Sequence, residues 1–111
     1  MSNDAWQIFT LDELARKVEG EAPRIHEFLR VPALSCVVYR LPAGARDMQA
    51  PHMEDEVYFV VSGRAKMRVA GQEREVTPGN ILYVRATSTH SFFDIEEDLT
   101  LIAVFGAAHS P

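Results

Sequence analysis

The chain has 111 residues, a formal net charge of -5 and a sequence pI near 5.3, which is enough for one domain with one core. The acidic balance, without a cluster of Lys and Arg, argues against nucleic acid as a partner. No apolar stretch is long enough to cross a bilayer, and the N-terminus lacks the basic and apolar segments of a secretion signal, so we expect no membrane partner. Cys36 is the only cysteine, and a cytoplasmic protein is the simplest interpretation.

The first third of the chain predicts a short helix followed by an extended connection. Thr10 and Glu13 have the spacing of a capping box, and apolar residues at 11, 14, 15 and 18 fall on one face of a helix that ends near Gly20. We therefore divide the chain into an N-terminal helical and extended appendage, residues 1–33, and a β-barrel, residues 34–111. The two parts form one domain overall.

From residue 34 onward the sequence predicts short β-strands separated by turns. Gly44, Gly63, Gly71 and Gly79 mark turns, and the acidic residues 96–98 are most simply a solvated turn. The predicted strands cover residues 34–41, 56–61, 65–69, 73–76, 81–84, 91–95 and 99–105. Strands of this length and spacing are typical of a sandwich or small barrel rather than of βαβ units.

Two of these strands are apolar on both faces. If Glu56 points into the barrel, then the apolar residues at 57, 59 and 61 point out, and the strand at residues 99–105 shows the same two-sided pattern. A second apolar face implies a covering layer, which is either the N-terminal segment or another subunit. Because a short helix covers little area, we expect a homodimer.

Three residues are candidate ligands of a metal ion. His52 and Glu56 are separated by an even number of positions, which places them on the same face of an extended chain, and His90 enters an apolar strand from a polar turn. Two imidazoles and one carboxylate are the ligands of a facial triad that leaves coordination positions open. The alternative is a solvated acidic turn with unrelated histidines, and spacing alone does not decide between the two.

The pattern around these residues resembles the cupin superfamily over roughly residues 34–106. The first motif of that family has a glycine, then His-x-His, a glutamate three or four residues on, and a glycine after six more. Gly44, His52, Glu56 and Gly63 occupy these places, with Ala50 where the first histidine would be. One of the usual four ligands is therefore missing.

The second motif runs from a glycine through five residues and Pro-x-Gly to a histidine and later an asparagine. Gly79, His90 and Asp94 take the glycine, histidine and asparagine places, whereas Arg85 and Thr87 replace the proline and glycine. This loop should shape the mouth of the barrel.

The resemblance implies an all-β, cupin-type double-stranded β-helix (jelly-roll) barrel with a short N-terminal helix. It also implies one divalent metal ion, with Fe, Mn, Zn and Ni not distinguished, bound by His52, Glu56 and His90. Gln49 and Glu54 are the candidates to replace the missing ligand. Gln49 offers a neutral oxygen, whereas Glu54 would add charge.

The expected function is that of a small metal-dependent enzyme acting on a small molecule. Oxygenase, isomerase and lyase chemistries are all compatible with the resemblance, and we favour a dioxygenase-like site because an open metal face binds substrate and dioxygen together. Tyr58 and Arg40 are candidates for catalysis or substrate binding, although a core aromatic and an outer-face arginine are the simpler alternatives. The rival function is a non-catalytic small-molecule-binding cupin domain with a degenerate metal site.

Overall fold

A computed structural model describes residues 5–47 and 53–107 as one short helix and six strands. The elements are α1 (Leu11–Lys17), β1 (Arg24–Val31), β2 (Leu34–Leu41), β3 (Glu56–Val69), β4 (Gln72–Val76), β5 (Ile81–Val84) and β6 (His90–Gly106). The strands follow the order β1-β2-β6-β3-β4, with β5 paired to β3, and each pairing between these strands is antiparallel. The all-β architecture predicted from the sequence is confirmed.

The helix α1 begins where the sequence predicts. The side-chain oxygen of Thr10 accepts a hydrogen bond from the amide of Glu13 at 3.4 Å, which satisfies one of the free amides of the first turn. Leu14 and Val18 are buried against Val38 of β2. The N-terminal segment therefore covers part of the outer face of the sheet. None of the helices among the described residues has the length and apolar character needed to span a membrane.

Strand β1 lies within the segment that the sequence assigns to the appendage. It pairs with β2 from Arg24 to Val31 and extends the sheet by one strand. Cys36 of β2 is buried, and burial raises the pKa of its thiol. This agrees with a structural cysteine on a strand rather than a reactive thiol.

Strands β3 and β6 are longer than predicted. The predictions of turns at residues 62–63 and 96–98 are wrong, because β3 and β6 continue through these positions without a break. The register of the β3–β6 pair shifts three times between Val60 and Lys66, which marks bulges. A bulge bends a strand while the neighbouring hydrogen bonds continue, so a glycine can signal a bend that resembles a turn in sequence.

Gly63 lies at the centre of this bend, and two features of the position require glycine. Its φ is +95°, a backbone conformation that other residues rarely adopt. A Cβ at this position would lie 2.2 Å from the carbonyl oxygen of Asp98 and 2.7 Å from the Cα of Leu99. The backbones of β3 and β6 therefore approach more closely here than any side chain allows.

The core occupies the inner face of the curved sheet. Five of its large side chains are almost completely buried, namely Leu41, Tyr58, Phe92, Leu99 and Leu101. They come from β2, β3 and β6, which pack around one interior. Side chains on the inner face therefore meet side chains from distant parts of the same strands.

We predict that Gly63→Ala lowers the free energy of unfolding by at least ~3 kcal/mol, because it adds a backbone clash to an unfavourable φ. Gly71→Ala is the matched control, since Gly71 also has a positive φ of 86° but has open space around it. It should lower stability by only about 1 kcal/mol. Urea denaturation measures both values. Equal losses for the two variants would show that the contact with Asp98 and Leu99 contributes nothing.

Candidate functional site

Glu56 and His90 meet inside the barrel although they lie at opposite ends of β3 in the pairing register. Glu56 begins β3 opposite Phe105, whereas His90 begins β6 opposite Val69, the last residue of β3. A straight strand of 14 residues would separate its ends by roughly 45 Å. Nevertheless, Nε2 of His90 lies 2.8 Å from Oε1 of Glu56. The bend around Gly63 therefore brings the two side chains together.

Both side chains of this pair are only 1% exposed, and the imidazole of His90 is held at both nitrogens. Its Nδ1 donates a hydrogen bond to the carbonyl oxygen of Ser88 at 2.8 Å. Nε2 therefore faces Glu56 and the hydroxyl of Tyr58, which lies 3.2 Å away. A backbone carbonyl that binds one ring nitrogen sets the tautomer in which the other nitrogen can act as a ligand.

The surroundings of His90 act on its pKa in opposite directions. Burial lowers it, whereas the hydrogen bonds to Glu56 and Ser88 and the negative charges of Glu56 and Asp47 raise it. The net effect is a pKa raised above the ordinary 6.5 of histidine. The site therefore stabilises positive charge at the position of the imidazole, as expected next to a buried carboxylate.

One oxygen of Glu56 has no hydrogen-bond partner within residues 5–47 and 53–107. This oxygen is Oε2, which is buried in the interior of the barrel. A buried carboxylate oxygen without a partner is costly, and a cation would offset that cost. An imidazole nitrogen and a carboxylate oxygen are also ligands that suit first-row divalent metals. The residues present therefore fit a metal ion.

The remaining predicted ligands have different positions. His52 and Gln49 lie outside the described residues. Glu54 is half-buried just before β3. In the part of the chain that the structure describes, no three His, Cys, Asp or Glu side chains are grouped to hold a metal ion, so Glu54 does not join Glu56 and His90 in such a group. The triad with His52 and the replacement ligands remain predictions.

Tyr58 and Arg40 lie on opposite faces of the sheet. Tyr58 is fully buried on the inner face and contacts His90. Arg40 lies between the core residues Tyr39 and Leu41 and so faces outward. It forms an ion pair with Asp98 at 2.8 Å and donates a hydrogen bond to the carbonyl oxygen of Gly20. This geometry agrees with the outer-face alternative for Arg40.

Sequence reasoning missed Asp47, which fixes the loop after β2 beside the site. Oδ1 of Asp47 accepts a hydrogen bond from the hydroxyl of Tyr39 at 2.9 Å, and Oδ2 accepts one from the amide of Phe92 at 2.8 Å. Burial and the negative charge of Asp47 raise the pKa of Tyr39. The partners are distant in sequence, so only its place between Gly44 and His52 could have drawn attention to Asp47.

A cavity of about 610 Å³ lies beside the Glu56–His90 pair and is bounded by β3, β4 and β5. Its wall does not include Glu56 or His90. It does include Val84 and Val69, which are their direct cross-strand partners. The side chains of such partners lie on the same face of a sheet, so this part of the cavity wall shares a face with the pair, whereas Ile81 and Tyr83, which also line the cavity, are exposed.

A family model described as "Cupin domain" matches residues 37–105, the segment that carries the pair, the bend and the cavity. The chain belongs to the cupin family. The resemblance drawn from the sequence motifs is thus confirmed, and with it the double-stranded β-helix barrel.

Several known proteins are similar to this chain in sequence or in fold. An uncharacterised protein of Streptomyces coelicolor is 42% identical over 102 residues, which are 92% of this cupin and 97% of that protein. The crystal structure of TT1209 from Thermus thermophilus has a TM-score of 0.79 at 21% identity and covers 93% of this chain and 99% of its own. The DMSP lyase DddQ from Ruegeria pomeroyi has a TM-score of 0.73 at 17% identity over 78% of this chain. This chain spans only about half of the lyase, 47% of its length.

We predict that Asp47→Ala lowers the free energy of unfolding by about 2 kcal/mol, because it removes the acceptor of two hydrogen bonds that are partly buried. Tyr39→Phe removes only one of them and should lower it by about 1 kcal/mol. Urea denaturation of both variants gives the comparison. If Asp47→Ala costs no more than Tyr39→Phe, then the bond to Phe92 does not anchor the loop.

Proposed function

We propose that this cupin binds one divalent metal ion through His52, Glu56 and His90 and acts as an enzyme on a small molecule. The observation that carries the proposal is the buried Glu56–His90 pair, in which one carboxylate oxygen has no partner among the described residues. Glu56 and His90 would each supply one ligand, and His52 would supply the third from the segment that leads into β3. The single buried cysteine is compatible with a cytoplasmic location.

When bound by three protein ligands, a divalent metal supplies Lewis acidity and open coordination positions, and a redox-active one supplies chemistry with dioxygen. The residues of the chain orient the ligands, offer a proton donor and exclude water. Ser88 fixes the imidazole of His90 so that Nε2 is directed to the site. The hydroxyl of Tyr58 lies 3.2 Å from the same nitrogen and would donate a proton or a hydrogen bond to a bound substrate. Neighbouring core side chains exclude water from these groups.

The reaction class is a further part of the proposal. A protein of similar fold is named as a DMSP lyase, which supports the proposal that this cupin acts on a small molecule. We favour a dioxygenase-like reaction because three protein ligands would leave room for substrate and dioxygen side by side. Metal content and turnover with candidate substrates under air and under nitrogen distinguish an oxygenase from a lyase or isomerase.

A non-catalytic binding domain is the second candidate. Ala50 stands where the family motif has a histidine, and Arg85 and Thr87 replace the usual proline and glycine. A degenerate site would show these changes. Protein that is purified without metal and still binds a small molecule without turning it over would favour this candidate.

We predict that protein purified without added metal or an affinity tag retains one equivalent of a divalent metal, and that His90→Ala and Glu56→Gln retain less than about a tenth of it. Glu56→Gln keeps the shape of the side chain and so separates loss of a ligand from loss of the fold. His26→Ala, which removes a histidine of β1, is the matched control and should keep the metal. Elemental mass spectrometry measures the content. Unchanged metal in both site variants would refute the assignment.

We also propose that the cupin forms a homodimer through an outer apolar surface. This surface consists of Val57, Phe59, Ile81, Tyr83 and Val104, which are joined in cross-strand pairs on the outer face of β5, β3 and β6. Ile81 and Tyr83 are 66% and 64% exposed, respectively. The helix α1 packs next to this surface on Val38 but leaves these two residues in contact with solvent. An apolar surface of this kind favours a second copy of the chain, most simply with two-fold symmetry.

We predict that light scattering at micromolar concentration gives twice the chain mass of 12.4 kDa, and that Ile81→Glu gives a mass near 12.4 kDa because it buries a charge in the contact. Ile25→Glu is the matched control, since Ile25 of β1 is also exposed, at 55%, but lies outside the outer apolar surface. It should remain dimeric. A wild-type mass of 12.4 kDa across this range would contradict the dimer.

A further inference from the structure

The cavity beside the Glu56–His90 pair combines an apolar wall with two arginines. Met67, Val76 and Val84 contribute apolar side chains from β3, β4 and β5. Arg74 of β4 and Arg85, the residue after β5, also line the cavity. An apolar cavity with a few convergent polar groups is the usual form of a small-molecule site.

The pairing register explains why Arg74 reaches this cavity. Arg74 lies opposite Met67, and Met67 lies opposite Phe92 on the next strand. Met67 and Phe92 are buried in the core. Because directly opposed residues share a face of the sheet, Arg74 extends from the inner face. Its neighbours Glu73 and Glu75 therefore belong to the outer face.

Most other arginines of the barrel are already neutralised by carboxylates. Arg40 pairs with Asp98, Arg64 with Glu96, and Arg68 with Glu73. By contrast, neither Arg74 nor Arg85 takes part in an ion pair with any residue within 5–47 or 53–107. The chain has a net charge of -5, but these two arginines give the cavity a local positive charge. A negative ligand would complement them.

Two acidic groups near the cavity already have hydrogen-bond partners. Asp55 accepts a hydrogen bond from the amide of Ala86, next to Arg85, at 2.8 Å. Glu56 is paired with His90 in the interior. A ligand with a carboxylate at the arginine end and an apolar body along Met67 and Val84 would therefore keep its charge away from Glu56. Guanidinium groups also match the planar carboxylate with two parallel hydrogen bonds.

We propose that this cavity binds a small organic carboxylate with an apolar body, held by Arg74 and Arg85. The inference rests on the proposed function and deepens it by naming the class of substrate. The reacting part of the ligand would extend along the inner face towards Val69 and Val84, the cross-strand partners of His90 and Glu56. Gln72 shares the row of Val69 and His90 and adds a polar side chain to the same wall.

The test uses the full chain labelled with ¹⁵N, freed of metal and dialysed free of chelator, and titrates it with 4-phenylbutanoate while amide signals are followed by NMR. We expect saturable shifts at Met67, Val69 and Val84. The neutral analogue 4-phenylbutanamide should bind at least about tenfold more weakly, because it cannot form the charged contacts. Equal binding of the two compounds, or shifts confined to other parts of the barrel, would overturn the proposal. Inorganic phosphate that competes as well as the carboxylate would overturn the choice of ligand class.

Substitution of each cavity arginine tests whether it binds the carboxylate. Arg74→Gln and Arg85→Gln should each raise the Kd about tenfold, because each removes one charge-assisted contact. Arg64→Gln removes the same charge from an exposed ion pair and should change the Kd by less than about twofold. Undiminished affinity in both cavity variants would refute the role of the arginines. If a variant fails to fold, the comparison of acid and amide on the wild type still decides.

The metal content of the same proteins as purified, before the metal is removed for the titration, separates this inference from the proposed function. Arg74→Gln and Arg85→Gln should keep the metal of the wild type, since neither residue belongs to the triad. If the wild type contains metal as purified but does not bind the carboxylate, only the proposed ligand class is refuted. If the wild type contains no metal as purified but binds the carboxylate, only the metal proposal is refuted.

Discussion

The contact of Gly63 with the backbone of Asp98 and Leu99 is the constraint on which the rest of the structure depends. It allows β3 and β6 to bend together while they remain paired from Glu56 to Val69. Without this bend, a long antiparallel pair would carry its two ends far apart. With it, the two ends face each other across the interior. The same backbone geometry thus closes the barrel and assembles the Glu56–His90 pair.

The sequence predicts the fold class well and the length of the strands poorly. Alternating apolar residues and turn signals depend on local periodicity, which is why the helix at Thr10 and the turns at Gly71 and Gly79 lie where they are expected. A bulge at Gly63 depends instead on a backbone 35 positions away, and in the sequence it has the same signature as a turn. The acidic residues at 96–98 have exposed side chains, as expected for a turn, although their backbone belongs to a strand.

The site is predictable to the extent that it follows from motifs and parity. Glu56 and His90 become candidates through their places in the two motifs, and Tyr58 follows from the parity of Glu56. The carbonyl of Ser88 and the carboxylate of Asp47 are not found, because a backbone acceptor has no sequence signature and Asp47 binds partners from other strands. For Arg40 the sequence leaves two alternatives open, and the contact that bears on them is again distant in sequence. Its charge suggests a substrate contact, but a distant carboxylate, Asp98, already neutralises it.

Strand β3 carries two separate requirements on alternate residues. Glu56 and Tyr58 face the interior, whereas Val57 and Phe59 face outward as part of the outer apolar surface. A shift of one residue in the pairing with β6 would place the carboxylate outside and expose two apolar side chains to the site. Gly63 lies against the backbone of Asp98 and Leu99 at the point where the register of this pair shifts, so the close contact and the bulges occur together. The site and the outer apolar surface are therefore coupled through the backbone of β3.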